Sequence, residues 1–262
     1  MNSWLFVPGH RPDRFAKAAA SGAHEIIVDL EDAVSPEHKD SARSEVVRWL
    51  AHGGTAWVRV NAAGTPWHHD DLGSLRDSPG LRGVVLPKAQ GPATVRRVQR
   101  ELPGTRILAL IETAVGLQDA PSVAACTAVT GLAFGSIDFA LDIGADESDE
   151  TLLFARSALV VAARAAGLPP PIDGVTVETR DIEAVRAAAV RSRCLGFGGK
   201  LCIHPAQVDP VNHAFSPEPA EIDWARSVLT AATAQSGPFT VDGRMVDEPV
   251  LAKARRILQA RH

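Results

Sequence analysis

Apolar runs recur along this chain, most stopping at a polar or charged residue, and most are separated by segments whose apolar positions repeat at helical spacing. Leu5-Phe6-Val7 predicts a first short strand, closed by Pro8-Gly9. Pro12-Asp13-Arg14-Phe15 opens a helix, since proline suits a first turn, where its missing N–H has no partner to lose. Glu25 to Glu31 is a second strand, and Ala42, Val46 and Leu50 mark one face of the helix after it. Ala56 to Asn61 is a third strand, followed by a polar loop from Ala62 to Asp71 that contains Trp67-His68-His69, with His68 and His69 expected to be solvated. Gly83 to Lys88 is a fourth strand, then a helix near Thr94 to Glu101.

Two further runs end on acids. Arg106 to Glu112 predicts a buried fifth strand, and Gly131 to Gly135 leads into Ser136-Ile137-Asp138 as a sixth. Glu150 to Ala166 predicts a long helix, stopped by Gly167 and prolines. Ile172 to Val175 is a weak seventh strand, followed by a helix with Ile182, Val185 and Ala189 on one face. Gly199 to Pro205 is an eighth strand. Two amphipathic helices close the chain, one through Ile222, Ala225, Leu229 and Ala232 and one through Val250, Ala254, Ile257 and Leu258.

Strands alternating with helices imply a parallel α/β sheet. Eight of them favour a closed (β/α)8 TIM barrel over an open doubly wound sheet. No Gly-x-Gly-x-x-Gly follows the first strand, which counts against a dinucleotide-binding fold. The stretch Ser216-Pro217-Glu218-Pro219 is the natural boundary, so residues 1–215 are expected to form the barrel and 216–262 a C-terminal helical extension.

Composition narrows the function. A chain of 262 residues with 45% apolar content can fill one large core. Its net charge of −4, with no basic block, offers no footprint for nucleic acid. No apolar run is long enough to span a membrane, and Trp4-Leu5-Phe6-Val7 is too short for a secretory signal, so a cytoplasmic location is expected. Cys126, Cys194 and Cys202 are odd in number and irregular in spacing, and are expected to be buried free thiols.

In such a barrel, polar residues at strand C-terminal ends converge on one mouth. Here these are Asp29, Glu31, Asp32, Arg59, Asn61, Lys88, Glu112, Asp138 and His204. Neighbouring strands would bring Glu112 and Asp138 roughly 5 Å apart, a separation that suits oxygen ligands of a hard cation such as Mg²⁺. So many acids at close range need compensating charge, which a divalent ion and Arg59 would supply. A ring of salt bridges is the plain alternative. His204, beside Pro205, reads as structural. Which face of the second strand, Asp29 and Glu31 or Leu30, looks into the barrel is open at this level.

These residues fall within motifs that appear in order: Leu5-Phe6-Val7-Pro8-Gly9, Asp13-Arg14-Phe15, Asp29-Leu30-Glu31-Asp32-Ala33-Val34, Arg59-Val60-Asn61, Leu86-Pro87-Lys88, Ile111-Glu112-Thr113 and Cys202-Ile203-His204-Pro205. The chain closely resembles the citrate lyase β-subunit-like branch of the HpcH/HpaI aldolase superfamily. The likeness extends to Asp242 to Val250, which looks like that family's C-terminal loop.

The resemblance implies a TIM barrel with Mg²⁺ held at Glu112 and Asp138 and Arg59 contacting a substrate oxygen. Glu112 and Lys88 are also expected beside the substrate, although Lys88 could equally snorkel or pair with an acid. The resemblance implies cleavage or formation of a C–C bond in a 3-hydroxyacyl-CoA thioester, with a keto acid as partner. It also implies a trimer, or dimer of trimers, in which the C-terminal segment covers a neighbour's mouth and Asp247 acts there as acid or base. Glu31 and Asp32 are the alternatives for that role. Some relatives carry Gly-x-Glu-Asp where this chain has Gly135-Ser136-Ile137-Asp138, so an acid is missing at Ile137. The expected function is a Mg²⁺-dependent lyase of a short dicarboxylic 3-hydroxyacyl-CoA, such as citramalyl-CoA or malyl-CoA. The alternatives are a citryl-thioester lyase subunit working on an acyl carrier protein, a malyl-thioester hydrolase, and a non-catalytic barrel that binds a metabolite.

Overall fold

The computed structural model describes residues 2–233, 239–241 and 243–259. The chain divides into two compact units, Met1–Asn212 and His213–His262.

The first unit is a closed barrel of eight parallel strands in sequential order. In chain order its elements are β1 Ser3–Pro8, α1 Phe15–Ala19, β2 Glu25–Asp29, α2 Lys39–Ala51, β3 Ala56–Arg59, α3 His68–Leu75, β4 Leu81–Leu86 and α4 Gly91–Glu101. Then come β5 Ile107–Ile111, α5 Ala114–Ala124, β6 Val129–Phe134, α6 Ser136–Ile143, α7 Asp149–Ala165, β7 Ile172–Asp173, α8 Ile182–Leu195 and β8 Gly199–Cys202, and the division between the units falls within the next helix, α9 Val208–Phe215. β8 pairs back onto β1, with Trp4 opposite Leu201, and this closes the ring.

Alternate residues fill the barrel. Trp4, Ile27, Trp57, Val85, Leu108, Leu110, Ala133, Ile172 and Leu201 form one buried cluster. Because side chains alternate along a strand, residues at even offsets share that inward face. Asp29 follows Ile27, Arg59 follows Trp57 and Glu112 follows Leu110, so all three point inward at the strand ends. Leu30 packs on the other side, fully buried. The strand pattern thus delivers an acid, a guanidinium and a second acid to one mouth.

Several elements depart from the expectation. The predicted polar loop before Asp71 turns into α3, and His68 is buried, its Nδ1 2.7 Å from the Asn61 carbonyl oxygen. His68-His69-Asp70-Asp71-Leu72 reads as polar, but burial of Leu72 and Leu75 against the barrel makes it helical. Ile182, expected on the buried face of α8, is exposed, while Val185 and Ala189 are buried. Cys202 is buried, Cys126 half-buried and Cys194 exposed, so the expectation of buried thiols holds for only one of the three. α5 and α6 lie on stretches that the apolar spacing did not single out.

In the second unit α10 Pro219–Ala232 is followed by a hairpin, β9 Phe239–Val241 and β10 Arg244–Val246, and then by α11 Glu248–Gln259. Ala225 and Val228 of α10 pack with Val246 and Ala254 in a small buried core of their own. Asp242, the first residue of the expected C-terminal loop, lies outside the described residues.

Candidate active site

The mouth is built around Arg59. The end of β3 places it opposite Asp29 in the register with β2. Its Nε donates to Asp29 Oδ1 and its Nη2 to Asp29 Oδ2, both at 2.7 Å. Nη1 donates to Asp32 Oδ2 at 3.0 Å and lies 3.2 Å from Glu31 Oε2. The guanidinium rests over the Phe6 ring, 4.7 Å from its centre. A guanidinium has five N–H donors in a fixed fork, so these bonds leave one hydrogen on Nη1 and one on Nη2 for another acceptor.

The acidic turn folds around Asp29. Its Oδ1 accepts from Glu31 N and its Oδ2 from Ala33 N, each at 2.9 Å. This bends the chain, which is why β2 stops at Asp29 and not at Glu31 as the apolar run suggested. Burial alone would raise the Asp29 pKa, but the Arg59 guanidinium outweighs it and holds the carboxyl below the usual carboxylate range. The same pairing raises the pKa of Arg59 against its own burial.

A second cation faces the other acids. Lys88 follows β4 in a left-handed backbone conformation, φ 47°. Its ammonium lies 3.4 Å from Glu31 Oε1, 3.7 Å from Glu112 Oε1 and 3.8 Å from Asp138 Oδ1. Its backbone N–H also donates to Glu112 Oε1 at 2.8 Å. Burial pushes Glu31 up to about 8, with Arg59 pulling the other way. Burial likewise pushes Glu112 up to about 7 against the pull of Lys88. The Lys88 pKa is raised, its burial outweighed by Glu31 and Glu112.

β5 and β6 are neighbours, so Glu112 and Asp138 come from adjacent segments of the ring. Asp138 does not end its strand, however. β6 stops at Phe134, and Asp138 sits in the first turn of α6. Gly135 makes the crossing; a Cβ there would stand 2.5 Å from both Cβ and Oε2 of Glu112. Nothing bulkier than a hydrogen fits beside that carboxylate.

A cavity of about 360 Å³ opens at this mouth. Arg59, Asp32, Glu112 and Asp138 line its polar side, and Phe134, Ile137 and Val175 are among its apolar lining. Two of the residues expected at the mouth are elsewhere. Asn61 is buried behind β3, bonded to Lys39 and Asp71. His204 caps the turn after β8, its Nδ1 accepting from Ala206 N at 3.2 Å. Asp247, in the second unit, accepts from Val250 N at 3.3 Å at the start of α11.

The donor set answers whether a divalent cation fits. Oxygens of Glu112 and Asp138 both approach a single positive centre, the Lys88 ammonium. Among the described residues no group of three or more His, Cys, Asp or Glu side chains encloses a metal position. Two carboxylates plus water and substrate oxygens match the way Mg²⁺ is commonly held. The residues fit that ion.

Residues 2–205 match the HpcH/HpaI aldolase/citrate lyase family. The chain belongs to this family. Among HpcH/HpaI relatives, a citrate lyase subunit beta-like protein of Deinococcus radiodurans is 40% identical, the match covering 98% of this chain and 96% of that one. A (3S)-malyl-CoA thioesterase of Cereibacter sphaeroides is 34% identical over 98% of this chain and 93% of its own length. The crystal structure of CitE from Mycobacterium tuberculosis with magnesium, acetoacetate and coenzyme A has a TM-score of 0.90 at 34% identity, covering 99% of this chain and 97% of that one. The eight-stranded barrel and the family membership inferred from the sequence motifs are both confirmed.

Proposed function

We propose that this chain is a Mg²⁺-dependent carbon–carbon lyase that cleaves, or forms, a short dicarboxylic 3-hydroxyacyl-CoA thioester such as citramalyl-CoA or malyl-CoA. The observation that carries the reading is the pair Glu112 and Asp138 converging on one cation beside the Arg59 guanidinium, at the charged side of a cavity whose lining is otherwise mostly apolar. Magnesium and coenzyme A together in the similar CitE structure support the same choice.

Glu112 and Asp138 would hold the ion, which when bound supplies Lewis acidity toward the substrate hydroxyl and the carboxylate beside it. Arg59 stabilises the other half of the reaction. The hydroxyl proton passes to the carboxylate that acts as acid and base, and the C–C bond breaks, its electron pair passing to the carbon next to the thioester. That leaves a keto acid and a thioester enolate, and a proton on the enolate carbon completes the acyl-CoA. The free Nη hydrogens of Arg59 are directed by Asp29 and serve the enolate oxygen; preorganised charge of this kind is often the largest catalytic contribution. Asp247, reaching a neighbour's mouth in a trimer, is the proposed proton donor. Glu31, holding its proton near neutrality, and Asp32, lining the cavity, are the alternatives within the barrel.

The similarity to a malyl-CoA thioesterase favours a second reading, in which water attacks the thioester and the C–C bond stays intact. The name of the Deinococcus relative supports a third, a citryl-thioester lyase subunit that needs partner subunits. One experiment separates them. The purified chain is incubated with a panel of CoA thioesters, with and without Mg²⁺, and products are read by mass spectrometry. Acyl-CoA plus a keto acid supports the lyase. Free CoA plus the intact hydroxy acid supports the hydrolase. No Mg²⁺-dependent product from any thioester removes the first two readings.

A further inference from the structure

Behind the acidic turn lies a second polar cluster that the proposed reaction does not use. Lys39, the first residue of α2, is buried, and its ammonium donates to three acceptors: Leu30 O at 2.7 Å, Glu31 O at 2.8 Å and Asn61 Oδ1 at 2.6 Å. An ammonium has three hydrogens, and all three are engaged. Asn61 is fixed in turn. Its backbone N–H and its amide Nδ2 both donate to Asp71 Oδ2, at 2.8 and 2.6 Å, and Asp71 Oδ1 accepts from Arg43 Nε at 2.9 Å.

The two carbonyls belong to the turn that carries Asp29, Glu31 and Asp32. Asn61 stands two positions beyond Arg59, just past the end of β3. Lys39 is therefore the joint between the segment that holds the carboxylates and the strand end that holds the guanidinium. From inside the mouth, Asp29 grips the turn through the N–H groups of Glu31 and Ala33. From behind, Lys39 grips it through its carbonyls. Glu31 O also accepts from Val34 N at 3.0 Å, so it is Leu30 O that depends on Lys39 for a donor; a buried carbonyl without one is costly, which favours this setting of the turn. The setting decides where the free Nη hydrogens of Arg59 point.

We propose that Lys39, relayed through Asn61 to Asp71, is a positioning residue that sets the aim of Arg59 in the catalytic mouth. The proposal rests on the lyase reading of that mouth. Nothing in it requires Lys39 to touch substrate.

The test compares Lys39→Met, Lys39→Arg and Asn61→Ser with the wild type on a thioester that the wild type turns over. Misplacing a catalytic group by about 1 Å can cost roughly a hundredfold. Lys39→Met is expected to lower kcat by about tenfold to a hundredfold with KM within about threefold. Lys39→Arg falls between, because a planar fork does not serve three acceptors converging on one atom. Unchanged kcat per folded chain, with only the Tm lowered, would overturn the proposal. If Lys39→Met does not fold, Asn61→Ser decides, since it keeps both carbonyl bonds; it is expected to lower kcat at unchanged KM, and wild-type kcat overturns the claim. If the wild type turns over no thioester, the lyase reading fails by itself. The positioning claim then rests on the ¹⁵N-resolved Arg59 Nε–H resonance: displacement or broadening in Asn61→Ser sustains it, and an unmoved signal ends it.

Discussion

Asp29 and Arg59 stand opposite each other on neighbouring strands and meet through two parallel hydrogen bonds of 2.7 Å, both partners buried. Nearly every other feature of the mouth depends on this pair. Asp29 bends the chain that presents Glu31 and Asp32, and it fixes the Arg59 guanidinium at the lining of the cavity.

Replacing Asp29 by Asn removes the bidentate counter-charge of a buried guanidinium and leaves Asp32 and Glu31 to face it through Nη1 alone. Breaking one side of such a pair costs roughly 3–5 kcal/mol, so Asp29→Asn should lower the urea midpoint strongly and abolish turnover. The Asp29 pKa is held down in the fold, so its contribution is present above the unfolded carboxylate value and is lost as pH falls through the folded one. Acid titration of unfolding in wild type and variant checks this. An unchanged midpoint in the variant would contradict it.

Glu31 has the opposite sign. Burial pushes it up to about 8, so between the ordinary glutamate value and that pH the folded chain binds a proton that the unfolded chain lacks. Stability of the metal-free protein from this group is complete at low pH and falls as pH rises toward about 8. Glu31→Gln should flatten the decline of Tm over that window. Equal slopes in the two proteins would show that Glu31 is not the source.

Gly135→Ala should injure the metal position without unfolding the barrel, because the new Cβ would meet Glu112 at 2.5 Å. Glu112 must shift to make room. Calorimetric titration with Mg²⁺ should show affinity reduced by more than roughly tenfold, the order seen when groups that orient a metal ligand are lost. Wild-type affinity would mean that the Glu112 carboxylate does not bind the ion in this orientation.

Lys88→Met removes the positive charge that now faces Glu31, Glu112 and Asp138. One unit charge at 4 Å is worth about 1 kcal/mol even at the dielectric of bulk water. Mg²⁺ should therefore bind about threefold to tenfold tighter in the variant, while turnover falls if Lys88 also meets the substrate. Weaker Mg²⁺ binding in the variant would show that the ammonium assists the ion.

Asp247→Asn tests the proposed proton donor. Thioester binding should survive and turnover should collapse. Mixing this variant with Arg59→Ala should restore part of the activity if Asp247 serves a neighbouring chain, since an assembled ring then contains some complete sites. Normal turnover by Asp247→Asn alone returns the role to Glu31 or Asp32.

Much of the mouth was readable from the residues in order, for a local reason. An apolar run that stops on a charge marks a strand end, and strand ends of a parallel barrel share one face. That logic reached Asp29, Arg59, Lys88 and Glu112. It misplaced Asp138, because Phe134-Gly135-Ser136 turns from strand to helix before the acid is reached. It put Asn61 at the mouth, whereas the bonds to Lys39 and Asp71 hold it behind the strand. It missed Lys39 altogether. A lysine at the start of an amphipathic helix looks solvated, and only its depth and its three acceptors distinguish it.

By itself the sequence determined the eight strands, the family, and the charged side chains that end the strands, since periodicity and short motifs are properties of neighbouring residues. The tertiary structure alone decided which acid takes Arg59, which acids share Lys88, and that Lys39 joins the two segments. Those choices depend on distances between residues 8 to 57 positions apart, set by strand register and by the burial that makes one partner outweigh another.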